Sequence, residues 1–290
     1  MVKYSIKDLE RLSGIRAHTI RIWEQRYNII QPQRTDTNIR YYTDADLKRI
    51  LNISILNNHG IKISKIAELS PEEIHEEVRT IVDLKEDDGD QIEAMIMAMV
   101  ELDEKRFESI ISSNIKTSGF LNSIEKIIYP FFEKVGVLWQ TGAINPAQEH
   151  FISNLIRQKI IVAIDSLEVP TIENRKKFVL FLPESELHEI GLLIYSYVLR
   201  SAGHSVIYLG QSVPYSDLLQ VCDFYKPDAL VSLITNPFPV SELQVFVNQL
   251  AKDFSDKQIY LSGFQFSLES IEFPENILLH KDLISFRNRF

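Results

Sequence analysis

Cysteine is almost missing from this 290-residue chain. Cys222 stands alone, which excludes an intrachain disulfide and any thiolate cluster for zinc, mercury or copper. No stretch approaches the roughly eighteen consecutive apolar residues of a membrane span, so no membrane partner is expected. The opening Met1-Val2-Lys3-Tyr4-Ser5 lacks the apolar core of a secretory signal, and the expected location is the cytoplasm. Internal repeats and low-complexity tracts are absent. No Ser-His-Asp, paired-acid or phosphate-loop pattern stands out, so the chain is not expected to be an enzyme. What is present is ample core material: 45% of residues are apolar, in a chain long enough for two or three domains.

Charge is unevenly spread. Residues 1–69 hold twelve Lys/Arg against seven acids, a balance of +5, which leaves −14 on the rest of a chain whose total is −9. A basic head on an acidic body fits a phosphate-binding module joined to one that does not bind nucleic acid.

Ser5 with Asp8 three residues on opens a short helix that Ser13-Gly14 closes, and a second helix runs from about Ala17 to Tyr27. Two short helices about a Gly-containing turn make a helix-turn-helix. The turn-rich stretch from Pro32 to Tyr42 reads as a β-hairpin wing. Thr43 with Asp46 caps a further helix, and Ser64 is expected to cap another. Residues 71–90 are acid-rich, poor in large apolar groups, and expected to be a linker. Between 91 and 168 the apolar residues recur at three and four, as in Ile92/Met95/Ile96/Met99 and Ile124/Ile127/Ile128/Phe131. That spacing predicts a four-helix bundle, with a break at Gly142-Ala143-Ile144-Asn145-Pro146 before its fourth helix. Over 176–290 the pattern changes to strand and helix in alternation. Strands are expected at Phe178–Leu182, Ser205–Leu209, Ala229–Leu233, Gln258–Leu261 and Ile277–Leu279, with helices beginning near Glu189, Tyr215, Val240 and Leu268. This predicts a parallel sheet with helices on both faces and a ligand at the carboxyl ends of the strands.

In the second helix His18, Thr19, Arg21, Ile22, Gln25 and Arg26 fall on two adjacent stripes beside Trp23 and Tyr27, and the wing adds Arg34, Arg40 and Tyr41. Arg and Gln suit base edges in the major groove, and Thr suits phosphates. Of Tyr41 and Tyr42, one ring is expected on DNA and one in the core. From composition alone, the same residues serve equally well as solvated charges and core aromatics of a small helical domain. The second candidate site is Glu186-Leu187-His188-Glu189-Ile190-Gly191, directly after the first expected strand. A neutral imidazole is a good ligand for a transition metal, and a carboxylate that takes its other ring proton fixes the tautomer.

The order Tyr4-Ser5-Ile6-Lys7, Leu12-Ser13-Gly14-Ile15, Thr19 to Tyr27, Arg34, Asn38-Ile39-Arg40-Tyr41-Tyr42-Thr43 and Asp46-Leu47 closely resembles the winged helix-turn-helix of MerR-type transcriptional regulators, over about seventy residues. The resemblance implies that Thr19, Arg21, Trp23, Arg26, Arg34, Arg40 and Tyr41 contact double-stranded promoter DNA, and that such heads act at least in pairs. The remainder resembles the cobalamin-binding regulators of the CarH and LitR type, through Glu186-x-His188-x-x-Gly191 and through Trp139 followed nine residues later by Glu149-His150. This implies a helical cap followed by a flavodoxin-like α/β corrinoid domain. His188 would be the lower cobalt ligand, with Glu186 as its support and Ser232 extending the hydrogen bonds. Gly191, Gly203 and Gly210 would leave room for the cofactor's nucleotide tail, with Gly263 standing in the later glycine loop. Trp139, Glu149 and His150 would face an adenosyl group on the upper side, which favours adenosylcobalamin over methylcobalamin.

The family more often has Asp where Glu186 stands, and paired glycines where this chain has Ser262-Gly263. Gln140 follows Trp139 where light-sensing members carry a histidine, and an amide is a far poorer cobalt ligand than imidazole. His150 and His204 are the other histidines open to that role. The expected architecture is therefore multidomain: a winged helix-turn-helix at 1–70, a linker at 71–90, a four-helix cap at 91–168 and a cobalamin-binding α/β domain at 176–290. The expected function is a regulator, most simply a repressor, whose assembly as dimer or tetramer and whose operator binding answer to cobalamin, with light sensing and RNA polymerase as further candidates. Two alternatives stay open: a regulator that kept the sensor fold without the cofactor and works through a protein partner, and a corrinoid carrier in methyl transfer.

Overall fold

A computed structural model describes residues 4–35, 38–84, 88–140, 144, 146–168, 170, 172–236, 238–263, 265–268, 271–280 and 282–290. The chain divides into two compact units, Met1–Leu155 and Ile156–Phe290. Asp36 and Thr37 of the expected wing, and Gly142, Ala143 and Asn145 of the expected helix break, lie outside the described residues.

The first unit opens with α1 (Ile6–Ser13) and α2 (Ala17–Tyr27), then a two-residue hairpin of β1 (Gln33–Arg34) and β2 (Arg40–Tyr41). Ser5 and Asp8 form the expected reciprocal cap, and Gly14 ends α1 at φ 70°, a left-handed turn that glycine adopts without steric cost. Next come α3 (Asp44–Asn58), capped by Thr43 and Asp46, and α4 (Ile63–Ile66). Ser64 lies inside α4 rather than at its cap, and Lys62 occupies the cap position without a side-chain bond. The Ser54 hydroxyl donates to the Ser13 carbonyl at 2.7 Å, tying α3 to the turn between the first two helices.

The stretch expected as a linker contains α5 (Pro71–Leu84), with Ile74 and Val78 buried. Those two apolar residues four apart are enough to seat one face of a helix, although acids fill the rest of it. Four helical stretches follow, as the three-and-four spacing predicts. They are α6 (Asp88–Glu101), α7 (Glu104–Ser118), a long run made of α8 (Phe120–Ser123), a π-turn (Ile124–Ile128) and α9 (Tyr129–Gln140), and α10 (Pro146–Asp165). Pro130 explains the π-turn: its ring would strike the carbonyl four residues back in a regular helix, and one widened turn relieves that clash. Helix α6 is buried from Asp90 through Met99, with Asn114 bonded to Gln91 and Lys48 paired with Glu101.

The second unit contains β3 (Lys177–Pro183), α11 (Ile190–Ser201), β4 (Ser205–Val213), α12 (Tyr215–Tyr225), β5 (Ala229–Leu233), α13 (Val240–Asp253), β6 (Gln258–Ser262), α14 (Gln265–Leu268), β7 (Ile277–His280) and α15 (Leu283–Arg287). The helix expected to begin near Leu268 is the short α14, which ends there, and α15 had no sequence expectation. All five strands are parallel in the order β4-β3-β5-β6-β7. This is the flavodoxin-like winding, whose order reverses between the first and third strands, here β3 and β5. Alternation assigns the two faces. Val179, Phe181, Leu230, Ile259 and Leu261 pack with α12 and α13 through Leu218, Leu243, Val247 and Leu250. Phe178 and Tyr260 face the other way, where Tyr260 meets Phe286 of α15, which in turn meets Tyr195 of α11 at 4.3 Å.

Gly263, just beyond β6, lies so close to β5 that a Cβ would fall 2.1 Å from the Ile234 carbonyl oxygen, at φ +127°. Gly263→Ala is expected to cost at least about 3 kcal/mol, from forced displacement plus an unfavourable φ. Gly136→Ala, on an exposed turn of α9 where a Cβ meets nothing within 4 Å, should be neutral or slightly stabilising. Thermal unfolding of the two variants checks the contrast.

Candidate nucleic-acid interface and candidate metal centre

The outward side of α2 presents His18, Arg21, Ile22, Gln25 and Arg26, all exposed, with Thr19 half-buried beside them. The Arg26 guanidinium lies 5.5 Å from the Tyr27 ring centroid. In the wing Arg34 donates to the Asn38 side-chain oxygen at 2.8 Å, and Tyr41 donates to Gln33 at 2.7 Å. Arg40 lies 4.0 Å from Glu24. Of the two adjacent tyrosines, Tyr42 is the one in the core, fully buried and donating to Glu24 at 3.2 Å, while Tyr41 is half-buried. Burial raises the Tyr42 hydroxyl to about 12, helped by Glu24. Trp23 is the exception among the seven candidate DNA contacts. It is only 9% exposed, because its helical position turns it toward Ile20 and the core of the head rather than toward the Arg21 face.

In the second unit the loop after β3 carries His188, and Glu186 organises it. Glu186 is fully buried. One oxygen accepts from the His188 ring Nδ1 at 2.7 Å and from the His188 backbone N–H at 3.0 Å. The other accepts from the backbone N–H groups of Thr235 at 2.7 Å and Asn236 at 2.8 Å, just beyond β5. Glu186 therefore spans the switch point between β3 and β5. Burial alone would push this carboxyl up. The hydrogen bonds from the His188 ring and from the Asn236, His188 and Thr235 amides outweigh it and hold the group at about 2. A carboxylate this acidic can only accept, so Nδ1 carries the proton, and the lone pair of the neutral ring lies on Nε2. The ring is 59% exposed, so the imidazole is fixed in tautomer and bearing while reaching out of the loop.

Other bonds hold the same loop. Ser212 N–H donates to the Glu186 carbonyl at 3.2 Å, Gln211 donates to the Leu187 carbonyl at 2.6 Å, and the Asn236 side chain donates to the Ser185 carbonyl at 3.0 Å. Glu189 is also buried, and it accepts from Tyr208 at 2.8 Å and from Arg157 at 2.5 Å. Burial, reinforced by Glu189, raises the Tyr208 hydroxyl. Sequence reasoning named none of Thr235, Asn236, Tyr208 and Arg157. The first two act through backbone N–H groups, which no side-chain pattern reveals.

Ser232 does not extend the chain of hydrogen bonds from Glu186, whose second oxygen is filled by the Thr235 and Asn236 amides. Its hydroxyl is buried in β5 with no hydrogen-bond partner among the described residues. Gly191 is tightly packed, since a Cβ there would lie 2.6 Å from Leu233 Cδ2, so Leu233 already takes the room that glycine leaves. Gly210 sits at the irregularity in the β3–β4 pairing, at φ +82° beside Tyr208 and Glu189. Gly203 is at the far end of α11, against Pro170 and Ile172, and so lies before β4 at the opposite end of the strands from His188. His204 lies there too, buried with its ring 5.3 Å from Phe178 and 5.4 Å from Phe290, which removes it as an alternative metal ligand. Among the described residues no group of three or more His, Cys, Asp or Glu side chains could hold a metal ion, so a metal here would need its other ligands from a cofactor.

In the first unit Glu149 accepts from Ser153 at 2.6 Å and lies 2.9 Å from the His150 ring, which is well exposed. Trp139 and Gln140 lie on α9, and their side chains are outside the described residues.

The fit to a base-off cobalamin rests on chemistry that these residues display. One oriented imidazole suits a metal whose remaining coordination is supplied by a macrocycle, and the buried Ser232 hydroxyl is a polar group without a partner among the described residues. Glu186→Gln is expected to be less stable than wild type by about 3 kcal/mol at pH 7, the equivalent of a shift from 4.5 to about 2. A lowered folded-state value stabilises fully above 4.5, so the difference should shrink as pH falls from there toward 2. Denaturant unfolding of both proteins across that range checks it.

Residues 4–73 match the model of the MerR HTH family regulatory protein, and residues 91–163 match the B12 binding domain. The HTH-type transcriptional repressor CarH of Myxococcus xanthus is 29% identical, with 87% of this chain and 82% of that protein covered. The HTH-type transcriptional repressor CarA of the same organism is 26% identical over 78% of this chain and 74% of its own length. The monomethylamine corrinoid protein of Methanosarcina barkeri superposes with a TM-score of 0.55 at 15% identity, covering 66% of this chain and 92% of that one, a likeness of fold. No described helix is long and apolar enough to cross a membrane. The pairing of these two domain types, with repressors rather than enzymes as relatives across most of the chain, fits a MerR-type transcriptional regulator that carries a cobalamin-binding domain.

Proposed function

We propose that this protein is a transcriptional repressor whose grip on operator DNA is set by cobalamin held at His188. The observation that carries the reading is the buried Glu186 carboxylate, which holds the Nδ1 side of an outward-reaching imidazole at the switch point of the sheet. Cobalamin would supply a cobalt ion with an exchangeable lower position and a reactive upper cobalt–carbon bond. His188 would occupy the lower position, Glu186 would keep its tautomer, and the Ser232 hydroxyl would gain a polar partner. Trp139, Glu149 and His150 are proposed for the upper side, with adenosylcobalamin as the preferred form.

Residues 1–70 would read DNA through Thr19, Arg21 and Arg26 on α2 and through Arg34, Arg40 and Tyr41 in the wing, with Trp23 shaping the head from inside. Residues 91–168 would form the cap and 176–290 the corrinoid domain. Paired heads suit a palindromic operator, and cobalamin would set the number of linked heads by switching dimer and tetramer. Linking heads raises their effective concentration, so a change of assembly can move operator affinity by about two orders of magnitude or more. RNA polymerase is a further candidate partner at the same promoter. With Gln140 after Trp139, illumination is not expected to lock a second imidazole onto cobalt at that position.

One observation favours a second reading, the cofactor-free sensor: Leu233 fills the space beside Gly191. Full-length protein mixed with adenosylcobalamin in darkness and passed through gel filtration separates the two. Colour that co-elutes with protein, changes the apparent mass and is lost in His188→Ala supports the cobalamin reading. A colourless eluate supports the other. On a duplex selected from a random pool, Arg21→Ala and Arg26→Ala should each weaken binding about tenfold or more. Arg34→Ala and Arg40→Ala should each lower the salt slope by about one.

A further inference from the structure

We propose that Glu189, with Tyr208 and Arg157, is a positioning residue for the His188 ligand, a second anchor that holds the loop from the side opposite Glu186. The inference rests on the cobalamin reading given above and adds residues to it.

His188 lies between two buried carboxylates that face different partners. Glu186 is bound by backbone amides beyond β5, whereas Glu189 receives a phenol from β4 and a guanidinium from α10. The direction of Glu189 is informative. As the cap residue of α11 it could have bonded the helix's own first amides or stayed in water, yet it makes no side-chain capping bond. Its carboxylate is instead withdrawn from solvent, an arrangement that costs several kcal/mol unless charge-assisted hydrogen bonds offset it. Tyr208 and Arg157 provide those bonds. Gly210 lets the Tyr208 ring lie close, because a Cβ there would sit 3.3 Å from it.

The consequence for the ligand is mechanical. Glu186 fixes how the ring is turned, but a ring on a loop held at one end still swings with its backbone. Glu189 immediately follows His188, and its backbone enters α11 through the bond from Leu193 N–H to the Glu189 carbonyl at 2.9 Å. Pinning its side chain fixes the second end, so the path of residue 188 is held from both sides. A metal–nitrogen bond gains from that preorganisation, since less freedom is lost when it forms.

The experiment uses the full chain with adenosylcobalamin in darkness, so that only the lower coordination varies. Three readouts are taken for wild type, Glu189→Gln, Tyr208→Phe, Arg157→Lys and His188→Ala: the dissociation constant, the absorption of the bound cofactor, and the melting temperature of the cofactor-free protein. Glu189→Gln and Tyr208→Phe are expected to raise the dissociation constant roughly tenfold. They should also move the bound spectrum toward that of cofactor lacking a lower nitrogen ligand. Arg157→Lys keeps the charge but loses the Nε geometry and should fall between. Tyr208→Phe deletes one hydroxyl and keeps the ring, so it carries the test if Glu189→Gln does not fold. A lower melting temperature with unchanged spectrum and affinity would make the cluster a structural ion pair and overturn the proposal. Failure of wild type to take up the cofactor, or an unaltered spectrum in His188→Ala, would overturn the underlying reading and this inference with it.

Discussion

One buried carboxylate organises the second unit of this protein. Glu186 draws together two parts of the chain some fifty residues apart, the loop after β3 and the turn after β5, by taking hydrogen bonds from both. Removing a charged group from water is costly, and four donors are what make it tolerable here. Those donors also decide the chemistry of the neighbouring imidazole. Because Glu186 stays ionised, His188 must present a proton to it, and the ring's lone pair is left on the outer nitrogen. Stability and ligand orientation thus come from the same bonds, and one cannot be loosened without the other.

The parallel sheet explains why the carboxylate is found there. Reversal of strand order between β3 and β5 leaves a crevice at their carboxyl ends, with backbone N–H groups from the following turn aimed into it. Those donors need an acceptor, and a side chain from the first loop supplies it. Gly263 completes the arrangement from the neighbouring strand by letting its loop press onto the Ile234 backbone, and Ile234 N–H donates to the Ser262 carbonyl at 2.9 Å. The backbone N–H groups that donate to Glu186 therefore sit on a turn buttressed from β6.

Much of this could be read from residue order, and the misses have physical causes. The strand at Ala229–Leu233 and the helix starts at Tyr215 and Val240 follow from apolar runs bounded by breakers, and the caps at Ser5 and Thr43 follow from an acid at the third following position. The Glu186–His188 pairing is likewise local, spanning two residues. Long-range bonds to backbone amides leave no side-chain signature, so Thr235 and Asn236 were invisible. Glu189 is uninformative as a letter, since a glutamate at a helix start is ordinarily solvated; only its burial against Tyr208 and Arg157 sets it apart. Trp23 is sequentially central to the helix expected to read DNA, yet its ring is buried, because a large ring on a short helix is the natural plug for a small core. Residues 71–84 misled because Ile74 and Val78 are few, but two apolar residues at helical spacing suffice when α3 offers a surface to receive them.

The charge asymmetry links the two candidate sites. The head carries +5 and the rest of the chain −14, so outside the head there is no net attraction to phosphate and considerable repulsion. In the proposed reading the cofactor acts by changing how many heads are held together, where linking raises the effective concentration of the second head without any new contact to DNA. In the proposed reading this is what gives the rigidity of the His188 loop its importance. A ligand bond influences assembly only by the difference in free energy it makes between two arrangements, and a loose loop would absorb that difference in its own motion.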